Sequence, residues 1–213
     1  SYLELVGVDD REAALEQPVA SAVVRALDER GGGLVTFALT DDELQLTVSA
    51  LSGAGSSMGP VTHGARRRPD GELAEWWLSL PVGEIGPESV PFLIQHAYAG
   101  AEWSYEALQE RAALRHPIGS PAILARLDLA TADPPSLAAR YHEQLGLEVW
   151  AVADLAVCTL GAHTIRLLPR HEMEVPAAVT LGAQVPGPRS VEALGVRFDV
   201  EWVELPLPAP NRA

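Results

Sequence analysis

The sequence has no lysine and almost no cysteine. All 15 basic residues are arginine, a bias that we attribute to codon usage rather than to function. Cys158 is the single cysteine, so an intramolecular disulfide is excluded. The chain also lacks any apolar run that approaches the roughly 18 residues needed to cross a bilayer. We therefore expect no membrane-spanning helix, and the cytoplasm is the expected location.

The charge balance of the chain is one-sided. Its 29 acidic residues outnumber the 15 basic ones, and the formal net charge is −14. Because nucleic-acid binding draws most of its affinity from cationic side chains on phosphates, we expect no nucleic-acid partner. What the sequence does contain is a hydrophobic fraction of 47% over 213 residues. That is enough for one or two compact domains with a buried core.

A strand, helix, strand, strand, strand order runs through residues 34–96. Residues 34–39 are apolar and β-branched, as in a buried strand. Thr40 and Glu43 have the spacing of a capping box, which predicts that a helix begins there. Three further strands are predicted at 61–68, 72–80 and 90–96, with a tight Pro-Asp-Gly turn between the first two.

The same order repeats from residue 121 onward. Residues 123–131 are a strand candidate, and Asp133 followed by Pro134 marks a helix start. The helix carries an apolar stripe, Leu137, Tyr141 and Leu145, that stops at Gly146. Strands are then predicted at 148–152, 155–160, 164–168 and 178–182, a helical turn at 189–194, and an alternating strand with one dry face at 196–202.

The repeat divides the chain into units. Residues 1–8 are expected to be a lone strand that closes an incomplete first module, and 9–33 a linking helical segment. The remaining units are a second βαβββ module at 34–96, a connector with a short helix at 97–120, a third module at 121–168, and a degenerate fourth unit with a tail at 169–213.

Four short segments together resemble the glyoxalase-like branch of the vicinal oxygen chelate superfamily. They are Ser-Tyr-Leu-Glu-Leu at 1–5, Arg-Arg-Pro-Asp-Gly at 67–71, Pro-Phe-Leu-Ile-Gln-His at 91–96, and His-Pro at 116–117. The resemblance covers most of the chain up to residue 168. It implies an α+β fold in which βαβββ modules form curved, mixed sheets that enclose a cup.

Active members of this superfamily hold a divalent metal with His, Glu or Gln from the first and last strands of paired modules. Carried over, the resemblance places Glu4 at one ligand position. It places apolar Leu34 and Ile94 at two others, and the first strand of the first module is absent. Since one carboxylate is not a metal site, no complete metal site is expected, and a divalent metal stays open only through Glu4 and His96.

His96 and Trp76 complete the candidate ligand-binding set with Glu4 and Ile94. If the closing strands share a register, His96 faces the cup one step along from Ile94, where its imidazole would contact a ligand. Of Trp76 and Trp77, which point to opposite faces of one strand, whichever faces the cup would stack on a flat molecule; the resemblance places an aromatic residue at Trp76. The structural alternatives are a capped histidine at a strand end, a Glu4 ion pair with an arginine, and a tryptophan that only fills the core.

Two classes of function fit the resemblance. One is a module that binds a small organic molecule in the cup without a metal. The other is a metal-dependent lyase, isomerase or dioxygenase that uses Glu4 with a ligand from the missing strand; the fold does not decide between them. The abrupt start at Ser1 favours a truncated chain. Its open sheet edge would be covered by a second copy, as a homodimer, or by rearrangement against the third unit.

Overall fold

The computed structural model describes residues 3–68, 71–97, 118–120 and 122–204. The fold is α+β with two mixed sheets, neither of them closed, as the resemblance predicted. The helices are α1 (Arg11–Leu15), α2 (Pro18–Arg30), α3 (Leu44–Gly53) and α4 (Pro134–Leu145). Within the described ranges, no helix is both long and apolar enough to cross a membrane.

The strands fall into two groups. The first group is β1 (Ala38–Thr40), β2 (Thr62–Arg67), β3 (Leu73–Ser79) and β4 (Phe92–His96). The second group is β5 (Ala122–Thr131), β6 (Val149–Val152), β7 (Leu155–Leu160), β8 (His163–Pro169), β9 (Ala177–Ala183), β10 (Arg189–Ala193) and β11 (Val196–Trp202).

The two units that the sequence repeat predicted have the same strand order. The four-stranded sheet runs β1-β4-β3-β2, and β5-β8-β7-β6 forms one part of the seven-stranded sheet. In each unit the first strand is parallel to the fourth, and the other neighbours are antiparallel. The remaining three strands extend the larger sheet: β9 pairs antiparallel with β5, β11 is parallel to β9, and β10 is antiparallel to β11.

The helical turn predicted at 189–194 is wrong, because this segment is the strand β10. Its hairpin with β11 closes through Leu194 and Gly195, whose φ angles are 51° and 72°. A two-residue turn with positive φ at both positions matches the twist of a hairpin. The usual sequence signal for such a turn is Asn-Gly. Here the first position is leucine, which rarely adopts positive φ, so the turn was not predicted.

The strand predicted over residues 1–8 is also absent where the structure describes it. Leu3 to Val8 lie in no strand, and Leu5 is 84% exposed. Alternating apolar residues favour a strand only where a neighbour accepts the backbone hydrogen bonds. No strand in the described part of the chain pairs with this segment, so its pattern alone was insufficient.

The first strand of the first unit is shorter than predicted and begins later. Leu34 and Phe37 pack against the core outside any strand, and β1 starts at Ala38. Thr40, rather than Leu34, is the β1 residue aligned with Ile94. The cap also differs: the carboxylate of Asp41 accepts a hydrogen bond from the backbone N–H of Glu43 at 2.7 Å.

Helix α4 confirms its sequence signals. The Oδ1 atom of Asp133 accepts a hydrogen bond from the backbone N–H of Ser136 at 3.0 Å. Gly146 ends the helix with φ of 66°, a conformation that glycine adopts without strain. The predicted stripe is buried, with Tyr141 and Leu137 at 0% and 3% exposure.

One core joins the two units. It contains Leu44 and Val48 from α3, Leu93 from β4, Leu129 from β5 and Tyr141 from α4. Both sheets therefore turn their helix-covered faces toward this core. Because successive side chains of a strand point to opposite faces, the other face of each sheet points away from it.

Polar contacts also link the units. The Oε1 atom of Gln144 on α4 accepts hydrogen bonds from the backbone N–H and hydroxyl of Ser57 at 2.6 and 2.8 Å. The helix predicted within the connector at 97–120 lies outside the described residues, as does the tail from residue 205.

Candidate functional site

The outward side of the four-stranded sheet brings together three of the four predicted site residues. Trp77 and Leu93 pack in or against the core, so their neighbours Trp76 and Ile94 point away from it. The register pairs Trp76 with His96 and places Ile94 between Leu78 and Thr40. We call this the aromatic face, defined by Thr40, Gly64, Trp76, Leu78, Ile94 and His96.

Gly64 determines where the indole of Trp76 lies. The two residues are register partners on β2 and β3. A Cβ atom added to Gly64 would come within 2.4 Å of Trp76 Nε1 and 2.5 Å of its Cε2. Glycine in a strand often marks such a close approach. The indole therefore packs against the backbone of β2 and remains half-buried.

Glu4, the fourth predicted residue, lies elsewhere. It is exposed and belongs to the segment that forms no strand, so the register that would have aligned it with Ile94 does not exist. Its role in ligand binding stays a prediction from the resemblance.

The aromatic face does not fit the divalent metal that the resemblance implies. Ile94 is flanked by Thr40 and Leu78, which do not supply the carboxylate or imidazole ligands that such metals take in proteins. In the part of the chain that the structure describes, no three His, Cys, Asp or Glu side chains are grouped to hold a metal ion.

The outward side of the seven-stranded sheet carries a network of charges that sequence reasoning missed. Leu127 and Leu129 are in the core, so Arg126 and Asp128 point away from it. Arg166 is the register partner of Asp128 on β8. Its Nε and Nη2 atoms donate to the two carboxylate oxygens of Asp128 at 2.7 and 2.5 Å. Asp128 is 1% exposed, so the carboxylate end of this two-point ion pair is buried, whereas the side chain of Arg166 is partly exposed.

Arg126 extends the network across the sheet. Its Nε atom donates to Asp128 Oδ2 at 3.3 Å, and its Nη2 atom donates to Glu201 Oε1 at 3.0 Å. Burial alone would lower the pKa of Arg126, but hydrogen bonds and charge from Glu201 and Asp128 outweigh it, and the pKa is raised. The guanidinium is therefore held charged between two carboxylates.

The last members of the network lie on β9, β10 and β11. Arg197 donates from Nε to Asp199 Oδ2 at 3.1 Å, and the hydroxyl of Ser190 donates to Asp199 Oδ1 at 2.7 Å. Thr180 on β9 is the register partner of both Arg126 and Asp199. We call this set the charged face, defined by Arg126, Asp128, Arg166, Thr180, Arg197, Asp199 and Glu201.

Thr180 is the unusual member of the charged face. It is 0% exposed, and among the described residues its Oγ1 atom has no hydrogen-bond partner. An unsatisfied buried polar group costs about 1–3 kcal/mol. The sequence signal was the alternation of polar with apolar residues along β5, β8 and β11, but only the register shows that these polar sides meet.

The comparisons with known proteins decide the family. A family model described as a glyoxalase-like domain matches residues 1–145. The chain belongs to the glyoxalase-like domain family. This confirms the resemblance to the vicinal oxygen chelate superfamily that the sequence motifs indicated.

A solved structure supports the fold of this glyoxalase-like chain. A hypothetical protein from Staphylococcus aureus superposes with a TM-score of 0.73 at 12% identity, over 92% of this chain and 79% of the other. A Mn(II)-bound glyoxalase from Novosphingobium aromaticivorans gives a TM-score of 0.40 at 13% identity, over 79% of this chain and 63% of the other. No curated protein sequence matches the chain.

Proposed function

We propose that this glyoxalase-like chain binds a small organic molecule at the aromatic face of the four-stranded sheet. The observation that carries the proposal is the convergence of Trp76, Ile94 and His96 on one half-buried surface. Ligand sites are mostly apolar surfaces with a few placed polar groups, and this combination of side chains has that character.

Each side chain has a distinct part in the proposed site. The indole of Trp76 offers a flat apolar surface for stacking. Ile94 and Leu78 lie beside each other in the register and extend the apolar floor. The imidazole of His96, across from Trp76, supplies a polar group that can donate or accept a hydrogen bond. Binding by these residues requires no metal, in keeping with the ligand set of this face.

The test uses 2-naphthol, a flat and uncharged aromatic probe, in saturation-transfer NMR with the full chain. Trp76→Ala removes the stacking surface, and we expect the transfer signal to fall at least about fivefold, since stacking on an aromatic side chain contributes on the order of 1 kcal/mol. Trp150→Ala is the matched control, because Trp150 is 71% exposed in the other sheet. Equal signals from the two variants would contradict the proposal.

We also propose that the chain forms a homodimer. Among the described strands, none pairs with the outer edge of β1, and an unpaired edge is a surface that recruits a second chain. Light scattering on the purified protein measures the mass directly, and a monomer at all concentrations would rule the dimer out.

A further inference from the structure

The charged face contains an ion pair that spans a strand. Arg126 lies on β5 and Glu201 on β11, with β9 between them. They nevertheless meet through two hydrogen bonds, at 3.0 and 3.4 Å. The β9 residues that point to this side, Ala178, Thr180 and Gly182, are small and buried. The long side chains of the pair can therefore meet above them.

We propose that Arg126 and Thr180 form a binding site for the carboxylate of a small organic acid, and that Glu201 occupies this site when no ligand is present. The site lies in the other sheet from the aromatic face. Arg166, Thr180, Arg197 and Glu201 also lie beyond the matched residues 1–145, so the inference does not depend on the proposed function.

Arg126 is positioned in advance for such a ligand. Asp128 accepts from its Nε atom, and Asp128 is itself held by the two-point contact with Arg166. This leaves the Nη1 and Nη2 atoms of Arg126 directed at Glu201. Two parallel N–H groups of a guanidinium match the two oxygens of a carboxylate, so the geometry that receives Glu201 also fits an incoming carboxylate.

Glu201 is the exchangeable member of the network. Its side chain is 47% exposed, whereas that of Asp128 is 2% exposed. Partly exposed ion pairs contribute little stability, since water competes for both groups. A ligand carboxylate can therefore replace Glu201 at a small cost, while replacement of Asp128 would leave two arginines without their buried partner.

Thr180 supplies the reason for a ligand at this position. Its hydroxyl lies between Arg126 and Asp199 in the register, and no described residue accepts or donates a hydrogen bond there. The carboxylate of Glu201 is tethered to β11 and does not reach that hydroxyl, whereas an untethered ligand carboxylate on Arg126 can settle closer to β9 and accept from it. Binding would satisfy the one buried side-chain polar atom that is without a partner among the described residues.

The charges of the charged face favour a ligand with a single negative charge. Three arginines, Arg126, Arg166 and Arg197, are paired with three carboxylates, Asp128, Asp199 and Glu201. When Glu201 is displaced, one positive charge remains without a partner in this set. A monocarboxylate restores the balance. A phosphate dianion would leave excess negative charge beside Asp128 and Asp199, because like charges in a partly buried site repel.

The test is titration of the full chain with benzoate, followed by calorimetry and by the NMR signals of the arginine Nε–H groups. Glu201→Gln removes the charge of the internal competitor without changing its shape. We expect it to tighten benzoate binding by about fivefold to tenfold. Glu192→Gln is the matched control, because Glu192 is an exposed carboxylate on neighbouring β10, opposite Arg197, and we expect unchanged affinity.

Two further variants test the site itself. Arg126→Gln should abolish benzoate binding, and Thr180→Val should weaken it severalfold while both retain 2-naphthol binding at the aromatic face. A gain of affinity in Glu201→Gln cannot arise from misfolding, so this arm stands even if Arg126→Gln is unstable. Unchanged or weaker binding in Glu201→Gln would overturn the proposal, and so would tighter binding of inorganic phosphate than of benzoate.

Discussion

The two βαβββ units differ most at the outer edge of their first strand. In the first unit β1 has 3 residues, and no strand among those described pairs with its outer side. In the second unit β5 has 10 residues and pairs with β9 from Ala122 to Leu129. The unit with a neighbour carries a charged network on its outward face, with Asp128 buried at its centre, whereas the outward face of the other unit is mostly apolar, aromatic and half-buried.

This difference shows what the additional strands β9, β10 and β11 contribute to the second unit. Burial of a charge is costly unless a partner of opposite charge and further hydrogen bonds accompany it. Asp128 is buried beside Arg166 from its own unit, but Arg126 reaches Glu201 only because β9 and β11 extend the sheet. The βαβββ unit sets the alternation of side chains. The strands added beside it, β9 and β11, decide how much of the polar side of the sheet is buried.

The largest expected effect comes from removing the buried carboxylate of the charged face. Asp128→Ala leaves Arg126 and Arg166 without their shared partner, and we expect a loss of about 3–5 kcal/mol in the free energy of unfolding. Urea denaturation measures it. The control is Glu75→Ala, which breaks the exposed His63 pair on the other sheet and should cost no more than about 1 kcal/mol. Equal losses in the free energy of unfolding for the two variants would show that the buried carboxylate of the charged face is no more important than the exposed pair of the other sheet.

A smaller loss of stability is expected at Gly64, where the aromatic face has no space for a side chain. Gly64→Val places atoms within the volume of the Trp76 indole, so the ring must move, at a cost of about 1–3 kcal/mol. Urea denaturation and tryptophan fluorescence should both change, and 2-naphthol binding should be lost. Gly86→Ala is the control, since a Cβ atom there meets nothing within 4 Å. Normal naphthol binding by Gly64→Val would show that the indole position does not matter.

Thr180→Val should stabilise the protein while it weakens benzoate binding. The substitution replaces an unsatisfied buried hydroxyl with a methyl group of similar size, and we expect a gain of about 1 kcal/mol in the free energy of unfolding. Thr159→Val, at an exposed position on β7, should be close to neutral. A loss of stability in Thr180→Val would mean that the hydroxyl is satisfied in the folded protein.

The smallest effect concerns pH and the contact between the units. Burial raises the pKa of Glu88, but hydrogen bonds from Arg170, Thr131 and the backbone N–H of Ala132 outweigh it, so the pKa is lowered from 4.5. A lowered pKa in the folded state contributes stability above the unfolded value, and this contribution is lost as the pH falls through the folded value.

Glu88→Gln removes this contribution. The difference in stability between the parent protein and Glu88→Gln should be constant near neutral pH, amount to less than about 1 kcal/mol, and shrink below about pH 4.5. Denaturant titrations between pH 3 and 7 measure it. A difference that grows toward acid pH would contradict the sign of the effect.

Local signals were enough to predict much of the fold. Asp133 and Gly146 mark the ends of α4 because capping depends on nearby residues only. The segments that failed depended on distant partners or rare conformations. Residues 3–8 have the pattern of a strand, but no strand among the described residues pairs with them. Strand β10 ends in a turn where Leu194 has positive φ.

The two candidate sites show the same division. Alternation along β4 predicted that Ile94 and His96 share a face, and the resemblance supplied Trp76. The register of β3 with β4 brings all three to one side of the sheet, while their role in binding stays a prediction. The charged face could not be predicted, because its residues come from several strands and local sequence patterns do not reveal the order of those strands in the sheet. Arg126 and Glu201 are 75 positions apart, and no local spacing indicates that they meet.

The shared core can be completed only after both units have been synthesised. The apolar side of α3 is covered in part by α4, with Leu51 lying 3.9 Å from the position of a Cβ atom on Gly146. On the ribosome, residues 34–96 emerge well before residues 134–145. The first unit therefore waits, with an incomplete core, until the second has been made. A nascent chain stalled between the two should expose that surface to chaperones and proteases.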